Sequence, residues 1–239
     1  MTLYQDSQLS IYFGDASMSF NGDSLRNNEI VMSSDAHYRL QVIQKELCVD
    51  QIFFLKQTHS TLGKVIGKDV PSSDREEGDF LITQALNTGL GVYTADCLPI
   101  ILHDPVRNAL GVCHAGWIGS VNEIAVRALQ QMQKYYESDP TKIRIFFGPS
   151  AKTCCYEVQS DFIKNVQHFA FKDQVLIQRN SKLYFDVPGF NQLLLEEQGI
   201  SSDSFINTYN VCTICDTSFC SNRRSKGSKD RQVTIVTLK

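Results

Sequence analysis

Four short apolar runs follow one another closely in the middle of the chain, and they constrain its fold more than any other feature. They span residues 80–83, 90–94, 99–103 and 109–114, with Gly, Asn and Pro between them. Short runs bounded by such turn residues are typical of β-strands that succeed one another directly. The spacing therefore predicts a meander of strands rather than alternating βαβ units.

Helical periodicity is found on both sides of these runs. An N-cap at residues 33–35 precedes one apolar helical face, and residues 120–136 carry another behind a Ser120 and Glu123 capping box. Residues 186–199 are bracketed by an N-cap and a final glycine. Other apolar runs predict one short helix at residues 162–169 and strands at residues 52–55, 143–147, 175–178, 183–185, 205–209 and 233–238. This irregular succession predicts one α+β domain over residues 1–239.

Composition excludes several classes of protein. Apolar residues make up 42% of the 239 residues, and 23 Lys and Arg against 26 Asp and Glu give a formal net charge of −3. A disordered chain would be less apolar, and a protein that coats nucleic acid would be more basic. We therefore expect a globular protein without a nucleic-acid partner.

The sequence also predicts where the protein acts. Residues 1–7 lack the basic start and apolar run of a secretion signal, and no window approaches the ~18 apolar residues of a membrane span. The eight cysteines are too sparse for a small disulfide scaffold. We expect a cytoplasmic protein with reduced thiols and no membrane partner; no pattern indicates an oligomeric state.

Three of the predicted strands end near a side chain that can bind a metal ion. These side chains are His59, Cys97 and His114, separated by 38 and 17 residues. Two imidazoles and one thiolate suit zinc, and three protein ligands leave a fourth tetrahedral position for water, as in catalytic sites. The spacing matches no local metal-binding motif, so separate buried Cys and His residues are an alternative that the residues alone leave open.

Several motifs, in one order along the chain, resemble those of the YfiH family, also labelled laccase-domain or multicopper polyphenol oxidase proteins. The motifs lie at residues 94–99 (TADCLP), 114–117 (HAGW), 148–150 (GPS), 155–158 (CYEV), 186–188 (DVP), 212–213 (CT) and 221–224 (SNRR). The resemblance covers roughly residues 50 to 239. It implies mixed β-sheets packed together with helices outside, similar to the fold of the cytotoxic necrotizing factor toxins.

The resemblance also implies a chemistry. It implies a zinc ion held by His59, Cys97 and His114, and phosphorolysis of purine nucleosides such as adenosine, inosine and methylthioadenosine. Deamination of adenosine is a further implied activity, so purine nucleosides and phosphate are the expected partners. Copper is not expected, because laccase-type centres need many imidazoles and the chain has only five His.

Further residues are candidates for steps of this reaction. The catalytic candidates are Cys97, His114 and Glu157, the last as a carboxylate that moves protons. Residues 223–231 hold five basic side chains in nine, which fits a phosphate clamp or, alternatively, a solvated loop. The candidates for binding substrate are Trp117, Ser150, Cys155, Arg223, Arg224 and Arg231.

Two differences from the resembled family bear on phosphorolysis. The family usually carries an arginine where this chain has Ile118, and an arginine-rich Gly-Gly turn where it has residues 13–17. A phosphate nucleophile needs cationic donors, so the sequence supports deamination better than phosphorolysis. The alternatives are a cysteine hydrolase, with Cys97 as nucleophile and His114 as its base, and a metal-binding homologue that has lost turnover.

The remaining cysteines give weaker patterns. Cys212 and Cys215, with Cys220 nearby, resemble part of a zinc ribbon, but a fourth ligand is missing from that stretch. We expect these to be buried thiols. Cys154 and Cys155 are adjacent, which disfavours an ordinary disulfide between them.

Overall fold

The computed structural model of the chain describes residues 2–21, 34–67 and 76–239, so the first residue of the predicted N-cap at residues 33–35 lies outside it. The strands of these residues are β1 Thr2–Gln5, β2 Leu9–Phe13, β3 Phe20–Asn21, β4 Gln51–Phe53, β5 Gly63–Ile66, β6 Phe80–Thr83, β7 Thr88–Thr94, β8 Leu98–Asp104, β9 Ala109–Ala115, β10 Arg144–Phe147, β11 Glu157–Val158, β12 Leu176–Arg179, β13 Lys182–Phe185, β14 Phe205–Ile206 and β15 Asp230–Leu238. The α-helices are α1 Ser34–Leu47, α2 Trp117–Val121, α3 Ile124–Tyr136, α4 Ile163–Val166, α5 Lys172–Val175 and α6 Val187–Glu197.

Two six-stranded sheets and one three-stranded sheet organise the described residues. The first sheet has the order β1–β2–β15–β7–β4, and β3 pairs with the start of β15. The second has the order β14–β10–β8–β9–β6–β5, and the third the order β11–β13–β12. Both large sheets are mixed, because β4 runs parallel to β7 and β5 runs parallel to β6, whereas the central pairs are antiparallel. The structure thus confirms the predicted α+β class with mixed sheets.

Buried apolar side chains arrange these elements in layers. One set from β2, β7 and β15 packs against β8 and β9, which places the two large sheets face to face. The opposite set from the first sheet packs against α1, and the outer face of the second sheet packs against α3 and α6. Strands β7, β8 and β9 are buried along their whole length, which explains why they form continuous apolar runs.

The predicted meander is wrong at one strand. β8 and β9 form an antiparallel hairpin and β6 pairs with β9, but β7 pairs with β15 and β4 in the other sheet. The chain therefore crosses from one sheet to the other between Thr94 and Leu98. A strand that is apolar on both faces carries no signal for which neighbour it will join, so spacing alone could not place β7.

The predicted helix at residues 120–136 is interrupted near its start. Its first residues belong to α2, and α3 begins after Glu123, whose φ of +64° is left-handed and whose side chain makes no cap hydrogen bond. The Ser120 hydroxyl accepts a hydrogen bond from Asn191 Nδ2 at 2.9 Å. The predicted capping box is therefore wrong, because tertiary contacts occupy the serine and a tight turn precedes the long helix.

Other local patterns are confirmed. The Asp186 carboxylate caps α6 by accepting from the Gly189 N–H at 3.1 Å, and Gly199 beyond its end has a left-handed φ of +93°. Asn180 and Ser181 both have positive φ in the two-residue turn of the β12–β13 hairpin. In the described residues, no helix combines the length and the apolar character that crossing a membrane requires.

Candidate metal centre

His59, Cys97 and His114 converge although they are far apart in sequence. Each offers one ligand atom, and these three atoms lie within 4.8 Å of one another. The Cys97 sulfur is 3.8 Å from His59 Nε2, and the two imidazole rings meet edge to face with centroids 4.8 Å apart. The geometry therefore brings together the three predicted metal ligands at one point.

Each ligand is held by a different part of the fold. His114 is buried within β9, near its end. Cys97 lies in the turn where the chain passes between the two large sheets, and exposed His59 lies in the loop that follows β4. Two residues here, His59 and Asp96, have left-handed φ values of 59° and 81°. Such backbone conformations are unfavourable for non-glycine residues and are often found at functional sites.

Asp79, which the sequence analysis missed, organises the centre from behind. This buried carboxylate accepts hydrogen bonds from His114 Nδ1 at 2.8 Å and from the Ser60 hydroxyl at 2.7 Å. It also accepts from the main-chain N–H groups of Thr58, His59 and Ser60, and so fixes the loop that carries the exposed ligand. One carboxylate therefore orients the His114 imidazole and fixes the main chain that carries His59. The only available sequence signal was an aspartate directly before a buried strand.

Burial and charge act in opposite directions on these groups. Burial alone would raise the pKa of the Cys97 thiol, but the facing His114 and His59 lower it to about 6. Burial alone would lower the pKa of His114, but the Cys97 thiolate and Asp79 raise it to about 9. The two opposite shifts favour a thiolate at Cys97 beside an imidazolium at His114.

The donor set fits zinc. Because His114 Nδ1 bonds to Asp79, its Nε2 is left for a metal ion, and a carboxylate behind a ligating histidine is a common device that fixes its tautomer. Gly116 permits the close approach, since a Cβ there would lie 2.8 Å from His59 Cδ2 and 3.0 Å from the Cys97 sulfur. Two nitrogens and one sulfur suit a borderline-soft divalent ion, and three ligands leave an open position.

Alkylation tests the state of Cys97. In the metal-free protein we expect its reaction with iodoacetamide to have a pH midpoint near 6 instead of the ordinary 9, because the thiolate is the reacting form and its pKa is lowered. Adding zinc should suppress the reaction, since a ligated thiolate is a poor nucleophile. Mass mapping of the peptide that contains residue 97, over a range of pH, measures both effects. A midpoint near pH 9 would contradict the lowered pKa of Cys97, and a lack of protection by zinc would contradict its candidacy as a metal ligand.

Asp96 connects the centre to the predicted phosphate segment. Its carboxylate accepts from the Thr213 hydroxyl and from the Arg223 main-chain N–H, each at 2.7 Å. Its carbonyl accepts from the Ala151 N–H at 2.8 Å. The exposed Arg223 guanidinium lies 5.0 Å from the centroid of the Tyr156 ring. Asp96, the residue next to Cys97, therefore fixes the main chain of Arg223.

The structure places the other predicted residues in varied surroundings. Glu157 accepts from Lys182 Nζ at 2.8 Å, while its carbonyl accepts from Arg223 Nη1 at 2.9 Å. Trp117 directly follows Gly116 and packs edge to face on Phe162, so it is half-buried beside the centre.

The remaining substrate-binding candidates make contacts of their own within the protein. The buried Ser150 hydroxyl donates to Asn210 Oδ1 at 3.0 Å, and the Cys155 sulfur lies 2.9 Å from that of Cys215. Arg231 donates to two neighbouring carbonyls. The Arg224 guanidinium donates to the main-chain carbonyls of Thr213, Ile214, Asp216 and Phe219. These contacts give Arg224 a role in holding the loop together, whatever else it binds.

The fold and this centre define an α+β protein with two histidines and one cysteine around a candidate metal position. The chain matches, over residues 31–239, the family model described as multi-copper polyphenol oxidoreductase laccase. It belongs to that family.

Individual relatives are similar to the chain over most of its length. The chain is 38% identical over 190 residues to a purine nucleoside phosphorylase of Aquifex aeolicus, covering 79% of this chain and 84% of the relative. It is 29% identical to an adenosine deaminase from an unidentified prokaryote, over 79% of this chain and 75% of the relative. The crystal structure of the hypothetical protein YfiH of Bacillus licheniformis superposes with a TM-score of 0.84 at 23% identity, covering 97% of this chain and 93% of that one. The predicted YfiH-family resemblance and fold are thereby confirmed.

Proposed function

We propose that the chain is a zinc-dependent enzyme that acts on purine nucleosides, by phosphorolysis of adenosine, inosine or methylthioadenosine and by deamination of adenosine. The observation that carries the proposal is the convergence of His59, Cys97 and His114 within 4.8 Å, with an open side at the exposed histidine. The names of the relatives, purine nucleoside phosphorylase and adenosine deaminase, supply the substrate class.

The residues of the chain would divide the work as follows. His59, Cys97 and His114 would hold the ion, while Asp79 keeps the imidazole of His114 in one orientation through its 2.8 Å hydrogen bond. Bound zinc supplies Lewis-acid chemistry at neutral pH. Glu157 is our candidate for moving protons, and its carboxylate accepts a hydrogen bond from Lys182 Nζ at 2.8 Å.

A phosphate subsite would lie at Arg223. Its main-chain N–H is fixed by Asp96, and its side chain reaches from there to the Glu157 carbonyl and over the Tyr156 ring. The guanidinium is exposed and retains donors for an anion. In this arrangement it stands in for the arginine that Ile118 replaces; Ile118 itself is 38% exposed in α2.

Replacing this arginine should separate the two reactions. We expect Arg223→Ala to raise the KM for phosphate by about ten- to hundredfold, as for loss of a charged hydrogen bond of ~1.5–3 kcal/mol, and to change deamination by less than about twofold. Steady-state rates with adenosine, at varied phosphate concentration, measure both. Lys226→Ala removes the same charge from the same exposed segment and serves as the control. If both variants raised the KM for phosphate equally, Arg223 would contribute only its positive charge and not a specific phosphate contact.

A cysteine hydrolase is a second candidate because one observation favours it. Cys97, His114 and Asp79 form a chain of hydrogen-bonding groups, thiol to imidazole to carboxylate, as in nucleophilic triads. In that reaction the thiolate of Cys97 would attack a carbonyl and His114 would protonate the leaving group. Stoichiometric alkylation of Cys97 in protein that binds no added zinc would favour this function over the first.

The test of the proposed function is product analysis on zinc-loaded protein. Adenosine is incubated with and without phosphate, and the products are separated by HPLC. Inosine formed without phosphate indicates deamination, and adenine formed only with phosphate indicates phosphorolysis. A metal-loaded protein that forms neither product, from adenosine, inosine or methylthioadenosine, would support instead a homologue that has lost turnover.

We further propose that residues 1–239 act as one domain in the cytoplasm on free nucleosides, without a nucleic-acid or membrane partner. The pairing of β2 with β15 supports the single domain, because it joins the two ends of the chain in one sheet. The formal net charge of −3 supports a small-molecule partner over nucleic acid.

A further inference from the structure

Four cysteines outside the metal centre converge at a second position. Cys154 and Cys155 lie in the loop after β10, and Cys212 and Cys215 in the loop after β14. Their four sulfurs lie within 4.8 Å of one another, with Cys215 at 3.4 Å from Cys154 and 2.9 Å from Cys155. Cys212 is half-buried and Cys215 exposed, so the expectation that these are buried thiols is wrong. The two thiols that join Cys212 and Cys215 come from the adjacent pair, some 60 residues earlier in the sequence.

The cluster rests on a scaffold that does not depend on the sulfurs. The main chains of the two loops pair where Ser150 N–H donates to the Val211 carbonyl at 3.1 Å and Thr213 N–H donates to the Ser150 carbonyl at 3.0 Å. Lys152 Nζ donates to the Asn210 carbonyl at 2.8 Å. The thiols are therefore brought together by ordinary loop contacts, and their convergence is a property of the fold.

Cys220, which the sequence pattern grouped with Cys212 and Cys215, does not join the cluster. It is buried, and its N–H donates to Gln232 Oε1 at 2.6 Å.

A tetrahedral metal ion explains the arrangement of all four sulfurs. Zinc–sulfur bonds of 2.3 Å place the sulfurs of a tetrahedral site about 3.8 Å apart, a spacing that four atoms within 4.8 Å of one another can reach with small shifts. A disulfide would join two sulfurs and leave the other two unexplained. The main-chain N–H groups of Ile214 and Cys215 also face the Cys212 sulfur, and such donors stabilise a ligating thiolate.

We propose that Cys154, Cys155, Cys212 and Cys215 form a second, structural site for a zinc ion, independent of the centre at Cys97. Four thiolates fill a tetrahedral shell and leave no open position, so this ion would stabilise structure rather than take part in a reaction. The inference does not depend on the proposed function. Of the four cysteines, only Cys155 was also a candidate for binding substrate, and here it is a metal ligand instead.

The ion would stabilise the segment that supports the first centre. Thr213, between two of the thiols, donates to the Asp96 carboxylate next to Cys97. Arg224 reaches back to the carbonyls of Thr213 and Ile214, and Arg223 donates its N–H to Asp96. Loss of the second ion would therefore loosen the loop that positions Arg223 while leaving the ligands of the first centre in place.

Metal stoichiometry tests the proposal. Protein purified under reducing conditions and loaded with zinc should hold two equivalents, whereas the double variant Cys154→Ser and Cys215→Ser should hold one and Cys97→Ser should lose the other. Cys48→Ser, at an exposed cysteine in neither site, should keep both and is the control. Each variant is measured by elemental analysis after gel filtration, with circular dichroism to check folding.

A second measurement uses the unaltered chain, so the proposal can be tested even if the double variant fails to fold. Cobalt replaces zinc in the wild-type protein, and its absorption distinguishes a four-sulfur site from one with two nitrogens and one sulfur. Two distinct spectra that saturate in turn would support the proposal. A single equivalent that Cys97→Ser abolishes would overturn it, and so would a Cys155–Cys215 disulfide whose reduction restores no second equivalent.

Discussion

Cys97→Ser is expected to empty the candidate metal centre and to lower the turnover of adenosine by more than about a hundredfold. The reason is that the serine hydroxyl stays protonated at neutral pH and replaces a thiolate whose pKa is about 6. Loss of a residue that only orients a metal ligand already reduces affinity or activity by about ten- to a hundredfold, so loss of the only sulfur ligand should do more. Elemental analysis and the rate of product formation by HPLC measure the two effects on one preparation.

The variant has a matched control in Cys48→Ser, which changes the same atom at an exposed position outside both thiol sites. It should keep the metal content and the rate of the unaltered chain. Retained turnover in metal-depleted Cys97→Ser would show that the reaction does not need the centre. Retained metal with lost turnover would instead favour the thiolate as a nucleophile.

Asp79→Ala is expected to have the largest effect on stability, a loss of about 3–5 kcal/mol in the free energy of unfolding of the metal-free protein. The buried carboxylate accepts from His114, from the Ser60 hydroxyl and from three main-chain N–H groups, and alanine would leave all of these donors unpaired. Asp79→Asn retains one acceptor oxygen and should lose less. Urea unfolding gives the free energies, and zinc titration should show weaker binding in both variants.

The pH dependence of this effect follows from the pKa of Asp79. Burial alone would raise it, but hydrogen bonds from His114 and Ser60 lower it to about 2 from an ordinary 3.8. A carboxyl group whose pKa is lower in the folded state than in the unfolded state stabilises the fold fully at pH values above the unfolded-state pKa. This stabilisation is lost as the pH falls to the folded-state pKa and below it. The difference between wild type and Asp79→Ala should therefore shrink between about pH 4 and pH 2.

An exposed aspartate provides the comparison for this variant. Asp173 is 84% exposed in its ion pair with Lys172, and Asp173→Ala should change the free energy of unfolding by less than about 0.5 kcal/mol at any of these pH values. If Asp79→Ala were as mild as this control, the buried carboxylate would not be organising the metal centre.

Local patterns in the sequence predicted much of the secondary structure, because local physics decides it. The Asp186 cap, the glycine at residue 199 and the hairpin at Asn180 all depend on the backbone preferences of single residues. The pairing of the strands was harder to predict from the sequence. β7 and β8 are adjacent in sequence and buried on both faces, and only tertiary packing places them in different sheets.

The candidate site shows the same limit. The family resemblance named His59, Cys97 and His114 as candidate ligands, while their spacing alone left separate buried residues as an alternative. Asp79 was missed because its importance lies in five hydrogen bonds that only the folded chain assembles. The partners of Cys212 and Cys215 were missed because an adjacent cysteine pair has no recognised metal-binding spacing.

The position of β15 has a consequence for how the protein is made. Residues 230–238 form the strand between β2 and β7 in the first sheet. Until these residues are synthesised, β2 and β7 each have an unpaired edge where β15 will bind. Those edges can associate with other nascent chains until the strand emerges from the ribosome. The first sheet is therefore incomplete in any nascent chain whose residues 230–238 have not yet left the ribosome, and early termination before them would leave both edges open to aggregation.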